Sequence, residues 1–308
     1  MTRRLIRDDL ADAVRALDQG GLVAMPTETV YGLAADATNP SAIARVFETK
    51  GRPSDHPLIV HLADEADLAE WAPGASLEAR RLADTCWPGP LTMIVPRSEL
   101  LPSAVSGGRD TVGVRVPAHP LARELIRLLG RPVAAPSANR FGSVSPTTAE
   151  HVRRDLDAYL LPGVDVVLDG GPCPVGVEST IVDTLVDPVQ ILRSGAITAE
   201  QVSTILKSSV APASGPSRAS GMLASHYAPD CEVRLVDNAD DGDALAAGTP
   251  DSRILDLTSD PARYARDLYS ELRRADEDRV RVLIAVLPEA EGIGHAIRDR
   301  LTKAAAPR

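Results

Sequence analysis

Short apolar runs alternate with segments of helical periodicity through the first two thirds of this chain, and this alternation restricts the fold more than any other feature. Leu10, Val14 and Leu17 fall on one helical face, and the apolar run 22–25 follows after a pair of glycines. Such alternation is typical of an α/β protein. Apolar runs outnumber helical segments between residues 90 and 195, so we predict a mixed sheet rather than a purely parallel one.

Capping residues mark the starts of several helices. Asn39 suits the N-cap of a helix over 39–51, with Pro40 in its first turn and Gly51 at its end. Capping boxes predict two further starts, Thr147 with Glu150 and Thr198 with Gln201. The predicted helices after the second are 76–85, 120–129, 147–156 and 198–206. The predicted strands after the first are 57–60, 91–95, 112–116, 132–135, 164–169, 179–183 and 189–193.

A domain boundary is predicted where KSSVAPASGPSRAS, residues 207–220, loses all periodicity and becomes rich in Ser, Pro and Ala. Beyond it the pattern favours a small three-layer α/β domain. We therefore predict a domain over 1–206, a linker over 207–230 and a C-terminal domain over 231–308. The predicted strands of the C-terminal domain are 232–236, 253–256 and 280–287, and its predicted helices are 261–274 and 292–303.

Composition restricts the classes of partner. The formal net charge is −10, which argues against a broad nucleic-acid-binding face built on clustered Lys and Arg. No run of about 18 apolar residues could cross a bilayer, and the N-terminus has no apolar signal core, so we expect a cytoplasmic protein without a membrane partner. The three cysteines are far apart and show neither metal-ligand nor redox spacing, so no protein-bound metal site is predicted.

Two loops are candidate ligand sites, one after the first predicted strand and one at the end of the second predicted helix. The hydroxyl-rich segment 26–33 directly follows the first strand, and ligands bind at the carboxyl ends of strands in α/β sheets. A capped turn entering a helix is the alternative. Lys50 and Arg52 lie in a loop made rigid by Gly51 and prolines, and such cations suit a phosphate. Alternatively, the two cations only complement the dipole at the end of a helix.

A third candidate follows the strand at 132–135. Residues 136–139 and 142–146 combine small polar side chains with glycine, which leaves backbone N–H groups open to a ligand, although an ordinary Ser/Asn-rich turn has the same composition. Arg115 interrupts an apolar strand and therefore needs a buried partner or a ligand. No Walker A sequence, dinucleotide fingerprint or nucleophile elbow is present, so any ATP site would be of an uncommon kind.

These segments together resemble the YrdC-type threonylcarbamoyl-AMP synthase family. The resemblance rests on PTETVYGLAADA, on Lys50 and Arg52 leading into HPLIVH, and on Ser137 with Asn139, which occur in the family's order. SGMLASHYAPD, residues 220–230, is similar to the linker motif of the family's long form, which carries a C-terminal domain. Ser220 stands where the family commonly has proline, which bears only on the stiffness of the linker.

The resemblance implies a twisted α/β domain with a large concave pocket, in which L-threonine, bicarbonate and ATP give threonylcarbamoyl-AMP and pyrophosphate. Mg²⁺ would accompany ATP, and a downstream transferase would use the product to modify tRNA next to the anticodon. Lys50, Arg52 and Arg115 are the expected catalytic residues. The expected threonine-side residues are Thr29, His61, Arg115, Ser137 and Ser179. The expected nucleotide-side residues are Lys50, Arg52, His56, Thr111, Asn139, Ser145, Arg193 and Tyr227.

Two other functional classes fit the sequence less well. A carbamoyl-transferring enzyme that forms a carbamoyl-adenylate would share the fold, but the zinc-finger and acylphosphatase-like regions expected of it are absent. An RNA-binding or ribosome-maturation module is disfavoured by the acidic balance and by an aromatic content of only 3%. The segment 221–227 carries Met, Leu, His and Tyr, so we expect it to form a lid over the pocket or, alternatively, to begin the C-terminal domain.

Overall fold

The computed structural model describes residues 2–214 and 227–307, with the side chains of residues 2–8 outside the description. Most of the predicted lid, residues 221–226, also lies outside the described residues, whereas Tyr227 lies within them. In the first domain the helices are α1 Thr2–Asp18, α2 Pro40–Lys50, α3 Leu68–Trp71, α4 Leu77–Cys86, α5 Pro120–Leu129, α6 Ala149–Leu156 and α7 Ala199–Leu206. Its strands are β1 Val23–Met25, β2 Gly32–Asp36, β3 Ile59–His61, β4 Leu91–Pro96, β5 Thr111–Arg115, β6 Val133–Ala134, β7 Val166–Val167, β8 Thr180–Asp183, β9 Gln190–Arg193 and β10 Ala211–Pro212.

The ten strands form one mixed sheet in the order β10-β9-β8-β4-β5-β3-β6-β2-β1-β7. The sheet contains both parallel pairs, such as β3 with β5, and antiparallel pairs, such as β3 with β6, which confirms the predicted mixed sheet. Apolar clusters cover both faces of this sheet. For example, Leu33 belongs to the larger cluster and its neighbour Ala34 to the cluster that includes residues of α1 and α5. The first domain therefore has a core on each side of the sheet.

Local capping signals explain where most helices begin and end. The side chain of Asn39 accepts hydrogen bonds from the first turn of α2, and Gly51 ends that helix in the left-handed region. The capping box of Thr198 with Gln201 is also confirmed. The predicted start at Thr147 is wrong, because the N-cap of α6 is Thr148. The buried side chain of Thr147 instead contacts Ser270 of the C-terminal domain at 3.3 Å.

The strand β2 is the main element that the sequence pattern did not predict. Its five residues, GLAAD, are all buried because β1 and β6 flank the strand and apolar clusters cover both faces. A strand buried on both faces shows no alternation of polar and apolar residues, so the sequence indicates only the turn over 26–33 here. The short elements α3 and β10 and the helix α8 Ala239–Ala247 were also not predicted.

The C-terminal domain is a three-layer α/β unit, as predicted. Its strands β11 Glu232–Val236, β12 Ser252–Leu255 and β13 Val282–Val286 form a parallel sheet in the order β11-β13-β12. The helix α8 packs on one face, and α9 Pro261–Glu277 with α10 Gly294–Ala305 packs on the other. The core around α9 and α10 continues into the first domain through Val30, Val144 and Val177. Within the described residues, no helix is long and apolar enough to cross a membrane.

Candidate active site

A pocket opens where several strands of the large sheet end. The parallel pairing of β3 with β5 sets His61 opposite Arg115, both at the carboxyl ends of their strands. An isolated bridge between Gly32 and Ser137 brings the loop after β6 beside the segment that follows β1. The pocket is lined by eight of the residues expected from sequence: Thr29, Arg52, His61, Arg115, Ser137, Ser179, Arg193 and Tyr227.

Each of the three guanidinium nitrogens of Arg115 contacts a polar group inside the domain. Nε donates to the carbonyl of Gly89 at 3.2 Å, and Nη1 donates to Oγ1 of Thr29 at 3.0 Å. Nη2 lies 2.7 Å from a carboxylate oxygen of the buried Glu28. An arginine within an apolar strand needs a buried partner or a ligand, and Glu28 is that partner.

His61 is a neutral imidazole at the floor of the pocket. Burial, and after it the charge of Arg115, lowers the pKa of His61 to about 3. Its Nδ1 lies 3.1 Å from the carbonyl oxygen of Ile59, which favours the tautomer with the proton on Nδ1. His61 therefore presents a hydrogen-bond acceptor to the pocket without adding charge at neutral pH.

Arg193 and Ser179 form a second polar wall of the pocket. The Nε of Arg193 donates to the Ser179 carbonyl at 3.0 Å, and its Nη2 donates to the Ser179 hydroxyl at 3.1 Å. That hydroxyl also lies 2.7 Å from the hydroxyl of Thr92. Burial lowers the pKa of Arg193, yet a guanidinium remains charged at neutral pH. The two residues therefore hold each other in one fixed arrangement.

Lys50 is placed differently from the expectation that it faces a polyanion. The side chain is buried, and its ammonium donates to the carbonyls of Ser137 and Asn139 at 2.5 Å each. Burial, and after it the charge of Arg52, holds the pKa of Lys50 well below its usual range. In this structure Lys50 supports the loop that follows β6, and it does not line the pocket.

Arg52, two residues further on, does face the pocket. Its Nη2 donates to the carbonyl of Pro57 at 3.1 Å, and its guanidinium lies 5.6 Å from the centre of the Phe141 ring. Burial lowers the pKa of Arg52 to about 10, so the group is a cation at neutral pH. His56 packs edge-on against the same ring, at 5.4 Å between centres, and lies outside the pocket lining.

The remaining expected residues lie around the pocket rather than on its lining. Asn139 donates from Nδ2 to the carbonyls of Arg140 and Ser143, and its buried Oδ1 has no hydrogen-bond partner among the described residues. The Ser145 hydroxyl donates to the carboxylate of Glu178 at 2.6 Å. Thr111 is the first residue of β5, whereas Arg115 is its last. Lys50, His56, Thr111, Asn139 and Ser145 are therefore not brought into direct contact with the pocket.

The electrostatics of the pocket suit a ligand with several negative groups. Arg52, Arg115 and Arg193 line one concave space, and His61 adds no charge. Arginines make strong charge-assisted hydrogen bonds to carboxylates and phosphates. The pocket can therefore hold and align anions without supplying a nucleophile of its own.

Comparison with known proteins decides the family. Residues 15–195 match the model of the Sua5/YciO/YrdC family, which is described as telomere recombination. The chain belongs to the Sua5/YrdC family. Residues 197–306 also match the Sua5 C-terminal domain, described as the C-terminal domain of threonylcarbamoyl-AMP synthase. The two family matches meet close to the end of β9 and thus cover both domains.

Similarity extends over almost the whole chain in individual relatives. A threonylcarbamoyl-AMP synthase of Pyrococcus abyssi is 39% identical over 316 residues, which cover 94% of this chain and 92% of the relative. The Bacillus subtilis threonylcarbamoyl-AMP synthase is 37% identical over a region that covers 97% of this chain and 93% of that relative. The crystal structure of P. abyssi Sua5 complexed with L-threonine superposes with a TM-score of 0.90 at 37% identity, covering 96% of this chain and 94% of that one.

In this Sua5/YrdC-family chain, several residues of the site were missed by the sequence analysis. Glu28 lies within the first motif but received no role, and Glu178 directly precedes Ser179 in the pocket lining. Tyr269 and Arg300 reach Glu178 from α9 and α10. Proximity in sequence could have suggested Glu178. Nothing local marks Tyr269 or Arg300, because their contacts join residues 91 and 122 positions apart.

Proposed function

We propose that this chain is an L-threonylcarbamoyladenylate synthase, which condenses L-threonine, bicarbonate and ATP to threonylcarbamoyl-AMP and pyrophosphate. The observation that carries the proposal is similarity across both domains to enzymes named threonylcarbamoyl-AMP synthase. A structure similar over nearly the full length was solved with L-threonine. A pocket lined by three arginines and a neutral histidine supports the same conclusion, because each substrate brings a negative group.

We assign threonine to the part of the pocket around Arg115. Thr29, His61, Ser137 and Ser179 line the same pocket as this guanidinium and offer hydroxyl and imidazole groups. Because Glu28 offsets part of its charge, Arg115 would bind one carboxylate rather than a more highly charged group. The neutral His61 would accept a hydrogen bond from the amine or hydroxyl of threonine.

We assign the nucleotide to the side of the pocket formed by Arg52, Arg193 and Tyr227. Lys50 would act by holding the loop 137–139, since its ammonium already donates to two carbonyls of that loop. Asn139 and Ser145 carry polar atoms next to the lining. His56 and Thr111 would reach only the outer part of a bound nucleotide.

The chemistry needs alignment and charge compensation more than an enzyme nucleophile. The threonine amine and bicarbonate form a carbamate with loss of water. A carbamate oxygen then bonds to the α-phosphorus of ATP as the bond to the bridging oxygen breaks, and pyrophosphate leaves. Without fixed cations, mutual repulsion would keep the carbamate, the carboxylate and the triphosphate apart. Nucleotidyl transfer of this kind is catalysed largely by positioning.

Mg²⁺ would enter as part of the ATP substrate. Among the described residues, no group of three His, Cys, Asp or Glu side chains could hold a metal ion. Mg²⁺ is commonly held by phosphate oxygens and water with few protein ligands, which suits such a pocket. Asn139, whose buried Oδ1 has no hydrogen-bond partner among the described residues, lies outside the pocket lining, so the ligands of the ion would come mainly from the nucleotide and water.

The enzyme would therefore be a nucleotidyltransferase whose product serves a later step on tRNA. The adenylate is a reactive mixed anhydride, so we propose that a separate tRNA-modifying transferase receives it, in the cytoplasm. A formal net charge of −10 supports a chain that hands over a small molecule rather than one that grips tRNA.

Pyrophosphate release tests the reaction and its amino-acid specificity. The full chain is mixed with Mg²⁺ and ATP, with threonine, serine or no amino acid, and in bicarbonate-depleted or bicarbonate-supplied buffer. We expect release only when threonine and bicarbonate are both present. Equal rates with serine or without an amino acid would contradict the assignment of threonine as substrate.

A further inference from the structure

A buried cluster joins the two domains directly behind the pocket. Both carboxylate oxygens of Glu178 accept hydrogen bonds: one from the Ser145 hydroxyl at 2.6 Å, the other from the Tyr269 hydroxyl and the Arg300 Nε at 2.8 Å each. Tyr269 and Arg300 belong to α9 and α10 of the C-terminal domain. Arg300 has no exposed surface at all. We call Ser145, Glu178, Tyr269 and Arg300 the Glu178 cluster.

The Glu178 cluster controls the position of the second polar wall of the pocket. Glu178 directly precedes Ser179, and Nη2 of Arg300 donates at 3.0 Å to the carbonyl of Ser194, which directly follows Arg193. One buried guanidinium of the C-terminal domain therefore contacts the residues just before the start of β8 and just after the end of β9. Gly195 packs so closely there that an added Cβ would lie 2.4 Å from the Thr180 nitrogen.

The cluster also sets the charge of the pocket wall. Glu178 lines the pocket, and an uncompensated carboxylate at that place would repel the anions that the arginines attract. Burial would raise the pKa of Glu178, but Arg300 and Arg193 outweigh it and lower the pKa to about 2, so the group is ionised. The guanidinium of Arg300, on the side away from the pocket, offsets this charge.

We propose that Tyr269 and Arg300 are positioning residues of the active site, which fix Glu178 and cancel its charge so that Ser179 and Arg193 remain aligned for the substrates. The C-terminal domain then completes the pocket and is not merely attached beside it. This inference rests on the proposed function for its kinetic part only.

Simple adhesion between the domains does not require such a cluster. Buried ion pairs contribute little net stability, because removing two charges from water costs about as much as their attraction returns. Other interdomain ion pairs lie away from the pocket lining. Arg273 pairs with Asp155, and the exposed Arg154 pairs with Glu277. The Arg154–Glu277 pair supplies a matched control, since breaking it alters the domain joint without touching the Glu178 cluster.

The kinetic test uses the full chain and compares Arg300→Gln, Tyr269→Phe and the double variant Glu178→Gln/Arg300→Gln. The variant Glu277→Gln is the control. We expect Arg300→Gln to raise KM for ATP and for threonine by about tenfold or more, as for loss of a charge-assisted contact, and Tyr269→Phe to act in the same direction more weakly. Glu277→Gln should leave both KM values unchanged. The double variant should recover part of the loss, because it removes the uncompensated carboxylate. KM values in Arg300→Gln equal to those of the control, or no recovery in the double variant, would overturn the proposal.

Hydrogen exchange of the backbone separates this inference from the proposed function. Peptides covering residues 176–182 and 192–196 should exchange faster in Arg300→Gln and Tyr269→Phe than in the unaltered chain and in Glu277→Gln. If the unaltered chain makes no adenylate, the proposed function fails, yet the exchange data still test the positioning. Equal exchange in all four proteins would refute it. Tyr269→Phe removes a single hydroxyl and keeps the test valid if Arg300→Gln does not fold.

Discussion

Lys50 and Arg52 lie two residues apart and face different surroundings. The Lys50 ammonium is buried against the carbonyls of Ser137 and Asn139, whereas the Arg52 guanidinium lines the pocket. Gly51, which lies between them in the left-handed region, changes the direction of the backbone, so the two side chains point to different surroundings. One cation therefore stabilises the protein and the other is available to a ligand.

Alanine substitutions should separate these two roles. Arg52→Ala is expected to raise KM for ATP about tenfold to hundredfold, because it removes a charge-assisted phosphate contact, and to cost less stability than Lys50→Ala, because Arg52 is the donor to the carbonyl of Pro57 and Lys50 to two buried carbonyls. Lys50→Ala leaves two carbonyls without their donor, so we expect it to lower the free energy of unfolding by about 1–3 kcal/mol as well as activity. Pyrophosphate release and denaturant unfolding measure the two effects, with the exposed Lys207→Ala as control. Unchanged ATP kinetics in both variants would contradict a role for this loop in ATP binding.

The sequence indicates which single residues require a buried contact or a ligand better than it indicates which residues supply that contact. An arginine in an apolar strand predicted a buried contact for Arg115, and Glu28 supplies it. The sequence context of Lys50 predicts a phosphate ligand. Nothing local indicates the two carbonyls that accept its hydrogen bonds, because they lie 87 and 89 positions away. Such long-range contacts depend on the order of the strands, which local patterns do not contain.

At the scale of elements, local capping chemistry explains what was predicted and what was not. The start of α2 at Asn39 and its end at Gly51 are set by neighbouring residues, so they were predicted. The start of α6 was misplaced by one residue because Thr147 is engaged with the C-terminal domain. The strand β2 was missed because apolar clusters cover both its faces, which removes the alternation that marks a strand.

Gly51 offers a test of how the end of α2 shapes the site. Gly51 and Gly130 both end helices in the left-handed region, at φ 62° and 73°. A Cβ at Gly51 would lie 2.6 Å from Nη2 of Arg140, but a Cβ at Gly130 would meet nothing within 4 Å. We expect Gly130→Ala to cost about 1 kcal/mol of stability without a kinetic effect, and Gly51→Ala to cost more and to raise KM for ATP. Thermal unfolding and pyrophosphate release in parallel measure both, and equal behaviour of the two variants would argue against a role for this turn.

At the scale of the whole molecule, the two domains share one polar cluster at the pocket. The sequence predicted two domains from the loss of periodicity after residue 206, and the family's linker motif suggested contact with the pocket. The Glu178 cluster itself could not be predicted, because its members come from four separated segments. Tyr227 also joins this region, with its ring 5.3 Å from the Arg300 guanidinium and 5.6 Å from the Tyr269 ring.

The pH dependence of stability should report on this interdomain cluster. The pKa of Glu178 in the folded chain, about 2, lies below its ordinary value of 4.5. Its ionised form therefore stabilises the folded chain above about pH 4.5, and this contribution is lost as the pH falls toward 2. We expect the difference in unfolding free energy between the unaltered chain and Glu178→Gln to shrink over that window, as measured by urea unfolding at several pH values. A difference that stays constant with pH would contradict the ionised cluster.

Mass spectrometry of the nucleotides formed from ATP, Mg²⁺, threonine and ¹³C-bicarbonate tests whether this pocket makes threonylcarbamoyl-AMP. We expect a threonylcarbamoyl-adenylate that carries the ¹³C label, because its carbamate carbon comes from bicarbonate and lies between the threonine nitrogen and the adenylate. Omitting threonine or bicarbonate should abolish this species. An adenylate without the label, or pyrophosphate release accompanied only by AMP at the earliest times, would contradict the claim that this pocket joins a threonine carbamate to AMP.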